Sequence, residues 1–191
     1  MLEYLSKDQI QKLTRECKRF CFSPKCSSWA QEKRKRYWLT FLTLRYTAAR
    51  ISEIASYGSY APVFDLTARE MEVITLKQKN GNGRPPRRVI PLPAVLTKAL
   101  AEYSQGSYPC SMDTSNFRKF FKARCLAAGI PARLAHPHSL RHFRARELLR
   151  AGVDLQSVSQ ILGHASVATT TIYTRLSKED IKMQMEKAGT I

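Results

Sequence analysis

From Arg36 to Tyr46 the chain reads RYWLTFLTLRY. A helix through this stretch carries apolar or aromatic side chains on most of its sides, and such a helix is stable only when other elements surround it. The helix, expected from about Trp29 to Ala48, therefore has to be the centre of the fold. The elements that surround it are legible from spacing. Ser6 and Gln9 form a capping-box pair ahead of Ile10, Leu13, Cys17 and Phe20 at helical intervals. The segment SPKCSS at 23–28 reads as a loop. MEVITLKQK at 71–79 and RRVIPL at 87–92 have the composition of strands, and the polar NGNGRPP between them predicts a hairpin with a basic tip.

Helices fill the rest. Val95, Leu96, Ala99, Leu100 and Tyr103 line one face, and Phe117, Phe120, Phe121 and Cys125 line another that should end at Gly129-Ile130-Pro131. A further helix is expected from Ser139 to Ala151, with Gly152 past its end. Asp154 caps a short helix with Leu155, Val158, Ile161 and Leu162 inward, closed by Gly163. Ser166 is positioned to cap a helix carrying Tyr173. Ser177 and Asp180 open a last helix with Ile181, Met185 and Ala188 on one side. The expected class is mainly α with a small antiparallel β-hairpin or sheet (α+β).

The 191 residues suffice for one domain with a full core, and 43% are hydrophobic. No stretch approaches the roughly 20 apolar residues of a spanning helix, so no membrane partner is expected. The first residues lack the cationic-then-apolar order of a signal peptide. Five cysteines without framework spacing suit a reducing cytoplasm. Cys17, Cys21 and Cys26 cluster, but with no histidine or fourth cysteine nearby they read as helix packing rather than a zinc site.

Charge is more informative. Lysine and arginine number 32 against 15 acids, a formal net charge of +17. Such an excess attracts polyanions, nucleic acid first. The cations are dispersed through KRKR 33–36, GRPPRR 83–88, RKFFKAR 118–124 and RHFRAR 141–146, alternating with aromatic and aliphatic residues. A basic tail would concentrate them in one run. Dispersal predicts a shaped basic groove for nucleic acid, with Arg84, Arg87, Arg88, Lys119 and Arg144 as the expected contacts.

Two segments carry candidate chemistry. In HSLRH at 138–142, Arg141 sits in the first helical turn, where the macrodipole opposes a cation by about 0.3–1 kcal/mol. An anion there would reverse that sign, since backbone N–H groups, the guanidinium and His138 converge on it. A solvated arginine beside a turn histidine is the alternative. In TAARISEI at 47–54, Arg50 directly follows the apolar helix, and Glu53 either orients it or forms a surface pair with it.

TAARISEI, HSLRH, LGHAS and TTIYTR stand in the order and spacing of the tyrosine recombinases, the phage-integrase family, which the chain resembles over almost its whole length. The resemblance implies that family's catalytic-domain fold and a catalytic set of Arg50, His138, Arg141, His164 and Tyr173. It also implies a hairpin lysine, for which Lys79 fits best and Lys77 is the alternative. The chemistry suits these residue types. Two arginines meet the charge that develops on a phosphodiester under attack. Tyr173, with a free pKa of ~10, needs a positive field or a base such as His138 to attack. His164 hydrogen-bonds the phosphate, and the lysine protonates the leaving 5′ oxygen. The implied product is a 3′-phosphotyrosyl enzyme that keeps the bond energy, so neither a metal nor another cofactor is expected.

The resemblance carries further expectations. Residues 1–176 form the catalytic domain, without the N-terminal helical domain of many relatives. Residues 177–191 form a tail that docks on its own domain or on a neighbouring protomer during assembly on DNA from dimer to tetramer. The expected location is cytoplasmic, on the nucleoid. Where the family usually has glycine, this chain has Ala48, which implies a less sharp bend before Arg50. Three other readings exist: a metal-dependent nuclease using the HPH at 136–138, a type IB topoisomerase-like activity, and a non-catalytic DNA-binding regulator.

Overall fold

The apolar helix stands where its sequence demands. In a computed structural model that describes residues 3–24, 27–55, 60–76, 85–103, 110, 112–164, 170 and 185–186, α2 spans Ser28–Thr47, and Trp38 through Arg45 are all buried. Around it pack α1 (Lys7–Cys21), α4 (Ala94–Tyr103), α5 (Thr114–Ala127) and α6 (His138–Arg150). Phe41, Phe117 and Phe121 are among the largest fully buried side chains of this core. The Ser6–Gln9 capping box closes reciprocally, at 3.1 Å and 2.9 Å. Cys17 and Cys21 pack on the inner face of α1 with Cys125 of α5, and burial pushes the Cys21 and Cys125 thiols up to about 12. They are inert core residues; Cys26 lies outside the described residues.

The β structure exceeds the expected hairpin. Three antiparallel strands, β1 (Val63–Asp65), β2 (Glu70–Ile74) and β3 (Arg87–Pro91), pair in the order β1-β2-β3. β1 has only three residues, too few for an alternation to register in the sequence. In the β2–β3 register Met71 faces Ile90 and Val73 faces Arg88. Strand parity therefore puts Arg88 on the core face with the buried Ile90, and Arg87 and Val89 outward. Val95, expected on the inner face of α4, is 50% exposed, while Leu96, Ala99 and Leu100 are buried.

Two tight reversals set the positions of Arg50 and His164. After α2 comes α3 (Ile51–Ile54), and between them Ala48 adopts a left-handed conformation, φ 56° and ψ 14°. The expectation of a gentler bend is thus corrected: alanine takes the conformation that glycine adopts more readily. Its methyl is buried with Ala145, Leu149, Val158 and Leu162. The second reversal ends α7 (Leu155–Leu162), which Asp154 caps through Ser157 N at 2.9 Å. Gly163, at φ 64°, closes it with Gly163 N donating to Gln160 O and His164 N to Ser159 O.

Candidate active site

Each reversal delivers one site residue within two positions, and one arginine ties the two reversals together. Arg141, 3% exposed in the first turn of α6, donates through Nη1 to Ala48 O at 2.8 Å and through Nη2 to Leu162 O at 2.7 Å. Both acceptors lie at helix C-termini, where the carbonyls carry partial negative charge. The penalty of a cation at the start of α6 is thereby offset by the ends of α2 and α7. The same contacts bring Arg50, just past Ala48, and His164, just past Leu162, to one place.

Arg50 is oriented from behind. Glu53, fully buried, accepts from Arg50 N at 2.9 Å and from Arg50 Nη1 at 2.8 Å, so the carboxylate orients the arginine rather than forming a surface pair. Burial alone would raise the Glu53 pKa, but hydrogen bonds and charge from Arg88 and Arg50 outweigh it and hold the group below the usual carboxylate range.

Arg88 supplies that second cation, and its side chain turns inward to bonds within the fold. It is 10% exposed and donates to Glu53 Oε2 at 2.7 Å, Thr75 Oγ1 at 2.8 Å, Ile161 O at 2.9 Å and Ile74 O at 3.1 Å. The signal was present in the sequence as the shared parity of Arg88, Ile90 and Leu92. Arg144 is likewise bonded within the fold, donating to Tyr46 O at 3.0 Å and to Glu147 at 2.6 Å. Arg87 projects outward and pairs with Glu72 at 3.1 Å, and Lys119 is exposed on α5.

His164 is half-buried, and its pKa falls to about 4 because burial and the charges of Arg141, Arg50 and Arg88 all oppose protonation. The ring is therefore neutral near pH 7. Its Nδ1 lies 2.7 Å from the buried Thr170 Oγ1. When that hydroxyl donates, the ring proton rests on Nε2, the tautomer able to donate to a phosphate oxygen.

A cleft of about 640 Å³ opens at Arg50, lined also by Ile51, Ser52, His136, Pro137, His138 and His142 and, from α5, by Arg118 and Lys122. Burial and the neighbouring His138, His136 and Arg141 lower the His142 pKa to about 4. Arg118 and Lys122 were missed because only packing shows which of the α5 cations face the cleft. The structure thus gathers Arg50, Glu53, His138, Arg141 and His164. Lys77, Lys79, Arg84, Ser166 and Tyr173 lie outside the described residues, as does the C-terminal segment except Met185 and Glu186. Among the described residues, no group of three histidine, cysteine or acidic side chains is placed to hold a metal, and no helix is long and apolar enough to cross a membrane.

The sequence and the fold have known counterparts. Residues 3–180 match the phage integrase family, and the chain belongs to that family. It is 25% identical to tyrosine recombinase XerD of Bradyrhizobium diazoefficiens, over 93% of this chain and 60% of that protein. It is 32% identical to tyrosine recombinase XerC 1 of Ralstonia nicotianae, over 70% of this chain and 45% of that protein. The chain therefore spans about half the length of these relatives. Among solved structures, XerA recombinase superposes with a TM-score of 0.72 at 26% identity, covering 98% of this chain and 65% of that one. The catalytic domain of bacteriophage HP1 integrase shares the fold, with a TM-score of 0.62 at 18% identity, covering 97% of this chain and 95% of that domain.

Proposed function

We propose that this chain cleaves and rejoins double-stranded DNA as a site-specific tyrosine recombinase, with Tyr173 as the nucleophile. The observation that carries the reading is the convergence of Arg50, His138, Arg141 and His164 beside one cationic cleft. In that cleft the non-bridging oxygens of a scissile phosphate take their charge compensation from the two arginines and a hydrogen bond from His164 Nε2. The Tyr173 oxygen attacks phosphorus, and His138 accepts its proton. The bond to the 5′ oxygen breaks, and that oxygen takes a proton from Lys79, or from Lys77 in its stead. The products are a 3′-phosphotyrosyl enzyme and a free 5′-hydroxyl strand. A 5′-hydroxyl from another duplex reverses the step and exchanges strands.

Arg118 and Lys122 join Arg87 and Lys119 as the expected contacts to the DNA backbone, with Arg84 beyond the described residues. A net charge of +17 makes that binding strongly salt-dependent. The reading includes assembly of several copies on DNA, with residues 177–191 docking on a neighbouring protomer, in the cytoplasm.

A duplex nicked beside the cleavage site, incubated with the protein in EDTA, tests this. Wild type becomes covalently attached and Tyr173→Phe does not. Attachment lost in EDTA favours a metal-dependent nuclease, and attachment that survives Tyr173→Phe removes the nucleophile assignment. Supplying two DNA sites on one supercoiled circle separates joining of the sites from mere relaxation, the topoisomerase outcome.

A further inference from the structure

Arg88 lies outside the catalytic set, yet its guanidinium touches three elements that lead to that set. It grips Glu53, which orients Arg50. It bonds Ile161 O in the last turn of α7, three residues before His164. It bonds Ile74 O and Thr75 Oγ1 at the end of β2, where the chain runs on toward Lys77 and Lys79. A methyl group added at Gly163 would stand 2.9 Å from the Arg88 Cζ and Nη1 and 3.0 Å from Nε. The guanidinium therefore lies against the backbone of the reversal that presents His164. A side chain needed only to neutralise Glu53 would not require this contact, nor a planar fork shared among three elements.

We propose that Arg88 is a positioning residue for DNA cleavage, holding Arg50 and His164 in register from behind the cleft while making no contact with DNA. The inference rests on the recombinase reading for its kinetic consequence, and its geometric part stands apart from it. A fork of five N–H groups satisfies these acceptors together, whereas the single ammonium of lysine reaches only part of them. Arg88→Lys thus keeps the charge opposite Glu53 but loses the register.

The test uses the full chain with Arg88→Gln and Arg88→Lys. Single-turnover covalent capture of the nicked duplex is read beside DNA affinity, together with the imidazole ¹³C–¹H signals of the four histidines. A misplacement near 1 Å costs on the order of 100-fold in rate. Arg88→Gln is accordingly expected to slow capture about 100-fold and Arg88→Lys about 10-fold, each with Kd for DNA within about threefold of wild type. The His164 signal moves in both variants. Capture by folded Arg88→Lys within about threefold of wild type overturns the proposal, and so does a loss of DNA affinity that accounts for the slower rate. If Arg88→Gln does not fold, Arg88→Lys decides. If wild type captures no DNA, the recombinase reading fails, and the His164 signal alone decides: unmoved in Arg88→Lys, it overturns the positioning role.

Discussion

Ala48 concentrates a conflict at the scale of one residue. The reversal ahead of Arg50 needs a left-handed backbone, which costs an L-residue about 1–2 kcal/mol, while its buried methyl contributes about 0.8 kcal/mol. Ala48→Gly relieves the first and forfeits the second, so its expected effect on urea unfolding is less than about 1 kcal/mol in either direction. Ala48→Val adds a branched side chain where neither backbone nor neighbours admit one, and is expected to cost more than about 2 kcal/mol. A neutral valine would show that the reversal is not left-handed. TAARISEI announced a site arginine without its backbone conformation, because sequence spacing carries no sign of φ at an alanine.

At the scale of elements, the join between α7 and β3 depends on Gly163 against Arg88. Gly129 and Gly163 both have positive φ, but a methyl at Gly129 meets nothing within 4 Å. Gly129→Ala therefore reports backbone strain alone, on the order of 1 kcal/mol. Gly163→Ala adds displacement of Arg88, and is expected to cost at least about 1 kcal/mol more in denaturant unfolding. That excess should vanish in an Arg88→Gln background. An excess that persists there would place the clash elsewhere. These two elements also show how far the sequence could be read. The Ser6–Gln9 capping box, the apolar centre of α2, and Gly163 as a terminator arise from local rules that the neighbouring residues satisfy by themselves. Composition counts cations without their direction, so it could not show the bonds that Arg88 and Arg144 make within the fold. Those bonds form where β3 meets α7 and where α6 meets α2, contacts between residues 73 and 98 positions apart. The cleft-facing choice of Arg118 and Lys122 is of the same kind, fixed by which side of α5 its phenylalanines bury.

For the whole molecule, the buried cationic site has a consequence for acid stability. His142 and His164 have folded pKa values of about 4, against an unfolded value near 6.5. The unfolded chain therefore binds more protons between those limits, so the contribution of the neutral histidines is complete above pH 6.5 and is lost as pH falls toward 4. Glu53 and Glu147, whose pKa values are lowered, add their own loss only below about pH 4.5. Urea midpoints measured from pH 7 to 4.5 should thus decline with uptake of about two protons on unfolding. His142→Gln should remove about half of that slope. A flat profile would mean that the two rings titrate in the folded state over the same range as in the unfolded chain. Burial first, and then the charges of Arg141, Arg50 and Arg88, keep His164 neutral. Those charges also supply the field that the proposed chemistry needs, so stability toward acid and that chemistry share part of their cause.

The most direct test of the central claim is the identity of the covalent bond. Wild-type protein captured on a nicked duplex is digested with protease, and the peptide that retains DNA is sequenced by mass spectrometry. The account predicts a phosphodiester between the Tyr173 oxygen and a 3′ DNA end, with adduct yield falling at least about 100-fold in Arg50→Ala. Attachment through another residue, attachment to a 5′ end, or an undiminished adduct in Arg50→Ala would contradict it.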